Sequence, residues 1–171
     1  MDKIVVSDAS TLVLLQKIAL LDKLIKEFSF IIPQEVYNEA VIKGKHIKSK
    51  DAYSIENKIK NNTIKVKNIK DKKKFNQIIN EFGLGEGETE AIVLFFQEKA
   101  DTLATDDHKA INVCKIYGVP FITALTFALT AFELKIVNKN EANGMIKDLG
   151  IYGRYKDQLI YKALNYLGEK K

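Results

Sequence analysis

Two short apolar runs in this chain end in aspartate. Ile4-Val5-Val6-Ser7 leads into Asp8, and Thr102-Leu103-Ala104-Thr105 leads into Asp106 and Asp107. Read as strands, both runs deliver a carboxylate at their carboxyl end, which is where sites form in open α/β sheets. Carboxylates held close together repel unless a cation neutralises them. Oxygen donors without a His or Cys set favour a hard ion, Mg²⁺ or Mn²⁺. His46 and His108 are not at metal-ligand spacing, and His108 reads as a surface histidine beside the acidic pair.

Two further acids follow from helical periodicity. Glu88 has Ala91, Ile92 and Phe95 three, four and seven residues on, so it shares their apolar stripe. Glu90 shares the face of Val93, Leu94, Gln97 and Asp101, which turns to solvent at its far end. Glu39 stacks with Val36 and Ile42, whereas Glu35 lacks apolar neighbours at that spacing. A carboxylate on an apolar face is costly to bury unless it is paired or metal-bound. Taken alone, each is also what an ordinary helix accepts near its N-terminus or on its surface. The inference rests on the set.

The elements that position these acids alternate between strand and helix. After the first strand, Ser10 or Thr11 can cap a helix that carries Leu12, Leu15, Ile18 and Leu21. A helix over 20–28, a strand at Phe30-Ile31-Ile32, and a helix from Gln34 to Ile42 behind Pro33 follow. The pattern then predicts helices near 52–59, 75–82, 88–99 and 110–117, and strands at 64–67 and 121–123. Strands apolar on both faces, alternating with helices, imply a mostly parallel sheet covered on both sides. No linker or low-complexity tract divides the 171 residues, so a single domain over 1–171 is expected, with 43–74 as a basic insertion and 138–171 as a helical C-terminal extension.

Charge is unevenly spread. Residues 43–74 hold twelve lysines against Asp51, Glu56 and Asp71, a net +9 on a chain whose total is +5, so the rest carries −4. A basic arm on an acidic body suits a protein that attracts phosphate with one element and holds metal with another. The lone Cys114 excludes an intrachain disulfide and a zinc cluster. With no signal-peptide pattern and no apolar run of spanning length, a cytoplasmic protein with no membrane association is expected.

Together these residues resemble the PIN-domain family, whose members open on a hydrophobic strand ending in Asp and then Ser or Thr, as Val5-Val6-Ser7-Asp8-Ala9-Ser10 does. Pro33, Val36 and Glu39 resemble its proline-to-glutamate helix. Gly85-Glu86-Gly87-Glu88-Thr89-Glu90-Ala91 resembles the Gly-Glu-x-Glu-Ala signature of one subgroup, and Leu103-Ala104-Thr105-Asp106-Asp107 resembles its strand-to-Asp motif. The match covers residues 1 to about 125, and Gly150 to Glu169 looks like the subgroup's tail. The third acid departs from the family, being Glu where Asp is common, and the doubled aspartate leaves the fourth open between Asp106 and Asp107.

The resemblance implies a three-layer α/β/α fold of about five strands. It further implies a Mg²⁺- or Mn²⁺-dependent endoribonuclease like the VapC-type toxins, with an antitoxin partner and a homodimeric state. Asp8 is then the central ligand, Glu88 and Asp106 or Asp107 are direct or water-mediated ligands, and Glu39 is a second-site ligand or water orienter. Ser10 and Thr105 are candidates to hydrogen-bond the carboxylates or a phosphate oxygen. Lys72, Lys73 and Lys74 are candidates to grip the RNA backbone beside the cleft. The alternative is a nucleic-acid-binding or regulatory module that keeps the fold without turnover. A receiver-like reading also places Mg²⁺ at strand-end aspartates, but it needs a mid-chain phosphoacceptor and a C-terminal lysine after a strand that is not evident here.

Overall fold

Val5 and Val6 are neighbours, so their side chains leave opposite faces of a strand, and both are buried. A strand buried on both faces needs a cover on each. The computed structural model describes residues 3–170. Its sheet contains β1 (Lys3–Ser7), β2 (Phe28–Pro33), β3 (Ile64–Lys67), β4 (Thr102–Ala104) and β5 (Phe121–Ile122), in the order β3-β2-β1-β4-β5. All four neighbouring pairs are parallel. The chain starts in the middle, builds outward through β2 to β3, then crosses to β4 and β5. That reversal leaves a crevice at the carboxyl ends of β1 and β4.

The helices are α1 (Ala9–Lys17), α2 (Leu21–Leu24), α3 (Gln34–Tyr37), α4 (Gly44–His46), α5 (Lys50–Lys60), α6 (Lys72–Phe82), α7 (Glu86–Glu98), α8 (His108–Tyr117), α9 (Ala124–Glu133), α10 (Lys139–Tyr152) and α11 (Asp157–Glu169), with a π-helical stretch Asn38–Lys43 between α3 and α4. Strand alternation sorts the core into two layers. Val5, Phe30 and Ile32 pack with Leu12, Leu15, Ile55, Phe127 and Ile146 on one face. Val6 and Ile31 pack with Ile78, Ile92, Leu94 and Val113 on the other. The result is a three-layer α/β/α arrangement.

Two expected helices change. The helix over 20–28 shrinks to the four residues of α2, because β2 opens at Phe28, whose ring packs edge-on to Phe127 at 6.0 Å. The helix from Gln34 to Ile42 widens into the π-helical stretch. A π turn carries more residues than an α turn, so the buried positions become Ala40 and Val41, and Ile42 is left 40% exposed. The lysine-rich span is built into the fold: Ala52, Ile55 and Ile64 are buried, and β3 is an edge of the sheet. Residues beyond 138 likewise bury Ile146, Leu149 and Leu167. Among the described residues, no helix is long and apolar enough to cross a membrane.

Candidate functional site

In a parallel sheet every strand exits at the same edge, so α1, α3, α8 and α9, which follow β1, β2, β4 and β5, all begin there. Their unpaired N–H groups and positive dipole ends make that edge hospitable to anions. Asp8 stands first beyond β1, its N–H bonded to the Ala104 carbonyl at 3.0 Å as a continuation of the sheet. The expected caps Ser10 and Thr11 are replaced by Asp8 itself: Oδ1 accepts the Thr11 N–H at 2.8 Å and the Ser10 hydroxyl at 3.2 Å.

Asp8 is 2% exposed, and no donor reaches its Oδ2 with hydrogen-bonding geometry. Burial raises its pKa from 3.8 to about 6, with repulsion from Asp106 adding to the rise. Thr105, fully buried beside it, and Thr11 offset part of that by favouring the charged form.

The doubled aspartate divides its work. Asp107 caps α8, its Oδ1 accepting the Ala110 N–H at 2.8 Å, while its own N–H donates to Thr105 Oγ1 at 3.3 Å. Asp106 turns toward Asp8. Its Oδ2 accepts the Thr11 hydroxyl at 2.9 Å and the Ala124 N–H at 3.1 Å, and its Oδ1 accepts the phenol of Tyr155. Thr11 therefore bridges the two acids through one residue. His108 is exposed.

Glu39 and Glu88 owe their placement to glycines. A Cβ at Gly85 would collide with Glu88 Oε2, and one at Gly87 would lie 3.0 Å from Glu39 Oε2. The Gly-Glu-Gly-Glu run thus clears space for two carboxylates. Both are half-buried. Burial raises the Glu39 pKa, and the charges of Glu88, Glu35 and Asp8 add to the rise while Lys43 opposes it. Asp106, Asp8, Glu39 and Glu88 are accordingly linked through space. Glu90 does not turn to solvent: its Oε2 accepts the Glu35 N–H at 2.9 Å and so ties α7 to the first turn of α3.

Among the described residues, no three His, Cys, Asp or Glu side chains are drawn together tightly enough to hold an ion as they stand. The donor chemistry nevertheless fits a divalent cation. Asp8 Oδ2 is a buried carboxylate oxygen without a partner, and its acidic neighbours repel it. A cation relieves both costs.

The lysines are less well placed for the cleft. Lys43 pairs with Glu35, Lys45 and Lys60 with Glu56, Lys58 with Asp22, and Lys67 with Glu98. Lys72, Lys73 and Lys74 open α6, where Lys74 Nζ lies 3.8 Å from the centre of the Phe96 ring. Phe96 stands eight residues beyond Glu88, about 12 Å along α7 at the usual rise. The triplet belongs to the far end of α7 rather than to the flank of the acidic edge.

Sequence reasoning passed over Thr11 as a bridge and Tyr155 altogether. Neither carries a local signal, because their partner Asp106 lies 95 and 49 residues away in sequence.

The family model for DUF3368, described as a PIN domain, matches residues 4–169. No curated protein matches the sequence. Among solved structures, the crystal structure of PAE2754 from Pyrobaculum aerophilum is similar, with a TM-score of 0.52 and 20% identity over 72% of this chain and 92% of that one. At that identity the likeness is one of fold.

Proposed function

We infer, because this chain belongs to the PIN-domain family, generally one of nucleases, that it is a metal-dependent endoribonuclease of the VapC-type subgroup. The observation that carries this reading is the buried, unpartnered Oδ2 of Asp8, with Asp106 tied to the same carboxylate through Thr11 and with Glu39 and Glu88 packed against the glycines at the start of α7. Asp8, Glu88 and Asp106 would hold Mg²⁺ or Mn²⁺, with Glu39, packed against Gly87 beside Glu88, as a second-site ligand or water orienter. A bound divalent ion supplies a nucleophilic water near neutral pH and stabilises the leaving oxygen. Thr11 and Thr105 keep Asp8 and Asp106 oriented, and the converging helix N-termini favour a phosphate beside them. A toxin role with an antitoxin partner belongs to the same proposal, as does a two-fold dimer. Exposed Ile151, Tyr152, Leu159 and Tyr161 on α10 and α11 support the dimer.

The test is cleavage of labelled RNA with Mn²⁺ or Mg²⁺, in parallel with Asp8→Asn and with chelator. Cleavage that needs the metal and vanishes in the variant is expected. Activity that survives both treatments would sink the metal mechanism. Tight RNA binding with no cleavage under any metal would instead favour the silent module, a reading that gains from the three donors already occupying Asp106.

The position of the lysine triplet yields a separate expectation. Each phosphate contact with a single strand contributes about −0.7 to the slope of log affinity against log salt. Replacing Lys72, Lys73 and Lys74 by Glu in an Asp8→Asn background should shift that slope by less than one such contact. A larger flattening would put the RNA path across the α6 end of the molecule.

A further inference from the structure

Asp106 is held in place from the other end of the chain. Gly153 caps the end of α10, and the following turn lays the Tyr155 ring beside Asp106. A Cβ at position 153 would lie 2.7 Å from the Tyr155 ring and 2.7 Å from the Leu149 carbonyl oxygen, so the glycine and the ring position go together.

The phenol makes two bonds of opposite polarity. Its oxygen accepts the Leu125 N–H at 3.0 Å, one of the donors that the first turn of α9 cannot satisfy internally. Its single proton is then directed to Asp106 Oδ1. Thr11 Oγ1 meets the other oxygen, Oδ2, and the Ala124 N–H reaches both, 3.1 Å from Oδ2 and 3.4 Å from Oδ1. Three donors from three parts of the chain, on both oxygens, leave the Asp106 carboxylate one orientation. Of the three, only Tyr155 engages Oδ1 alone, and its own position is fixed by α9.

We propose that Tyr155 is a positioning residue: anchored on the first turn of α9, its phenol orients Asp106 toward a divalent cation and thereby sets the affinity of the site for that ion. This rests on the metal-dependent reading above. Hydrogen-bond partners of metal ligands act by fixing the ligand before the ion arrives, and their loss typically weakens metal binding by about 10- to 100-fold. If the phenol instead competed with the ion for Oδ1, its removal would tighten binding.

The deciding experiment is calorimetric titration of Mn²⁺ into the full chain, comparing the parent with Tyr155→Phe and Gly153→Ala and using Asp8→Asn as the reference without a site. Tyr155→Phe keeps the ring and removes the proton, so a rise in Kd of about 10-fold or more is expected. Gly153→Ala keeps the phenol and displaces the ring, and it should weaken binding in the same direction. That second variant decides the matter if the first does not fold. In RNA cleavage, the Mn²⁺ concentration giving half-maximal rate should rise in parallel, while the rate at saturating Mn²⁺ returns toward that of the parent. A purely structural role would not produce that split. Unchanged or tighter Mn²⁺ binding in folded Tyr155→Phe overturns the inference and leaves the nuclease reading intact. A parent that binds no Mn²⁺ overturns both.

Discussion

At pH 8, with divalent metal removed, the Asp8→Asn variant is expected to be more stable than the parent by about 3 kcal/mol while losing RNA cleavage. Folding raises the Asp8 pKa from 3.8 to about 6, so the folded state holds the proton more tightly than the unfolded chain. Stability from this group is therefore greatest below pH 3.8, falls between pH 3.8 and about 6, and is lost above. At about 1.4 kcal/mol per pH unit, that interval gives the quoted figure. Asparagine keeps an acceptor for the Thr11 N–H and removes the charge, so the α1 cap survives. For a chain of this length, a gain of that size raises Tm by roughly 6–12 °C. Thermal unfolding in chelator at pH 8 and at pH 4 checks the sign. The gap between parent and variant should be wide at pH 8 and nearly closed at pH 4. A gap of the same size at both pH values would show that the charge of Asp8 costs the fold nothing. Saturating Mn²⁺ should narrow or reverse the gap at pH 8, since an ion that binds only the parent's folded state stabilises only the parent.

The contrast between Asp8 and Glu39 shows how far local pattern reaches. An apolar strand ending in aspartate is a statement about consecutive residues, and β1 with Asp8 and β4 with the Asp106-Asp107 pair stand where such runs imply. The parallel sheet follows from strands such as Val5-Val6 that are apolar on both faces. Glu39 lies at the same edge, but the stripe used to select it, Val36 to Ile42, is broken by the π turn. A 3.6-residue period cannot anticipate an extra residue per turn. The same periodicity turns Glu90 outward, yet it is bound to a neighbouring helix whose position only the tertiary fold defines. Charge counting located a basic span without saying which end of α7 its last lysines would meet. Tyr155, 49 residues from Asp106 in sequence, had no signature that spacing could expose.

The choice between Asp106 and Asp107 is also invisible to spacing, since both follow β4, and it provides the second large expected effect. Asp106→Asn should lower cleavage by about 100-fold or more, because a metal ligand lost from the transition state is worth several kcal/mol and each 1.4 kcal/mol is a decade in rate. The same substitution should also destabilise the protein. Thr11, Ala124 and Tyr155 all present donors to Asp106, and an amide in that position sets its own N–H₂ against at least one of them. An unsatisfied donor costs about 1–3 kcal/mol, so activity must be compared at a temperature where both proteins are folded. Asp107 should behave differently. Its carboxylate is occupied as the N-cap of α8, a duty that asparagine performs as well as aspartate. Asp107→Asn should therefore keep both stability and activity within about threefold, whereas Asp107→Ala should lose about 1 kcal/mol of stability with cleavage little changed. Rates at saturating Mn²⁺ and thermal midpoints for the three variants separate the roles. The reverse pattern, an inactive Asp107→Asn beside an active Asp106→Asn, would mean that the capping aspartate holds the ion and that Asp106, Tyr155 and Ala124 form a structural joint alone.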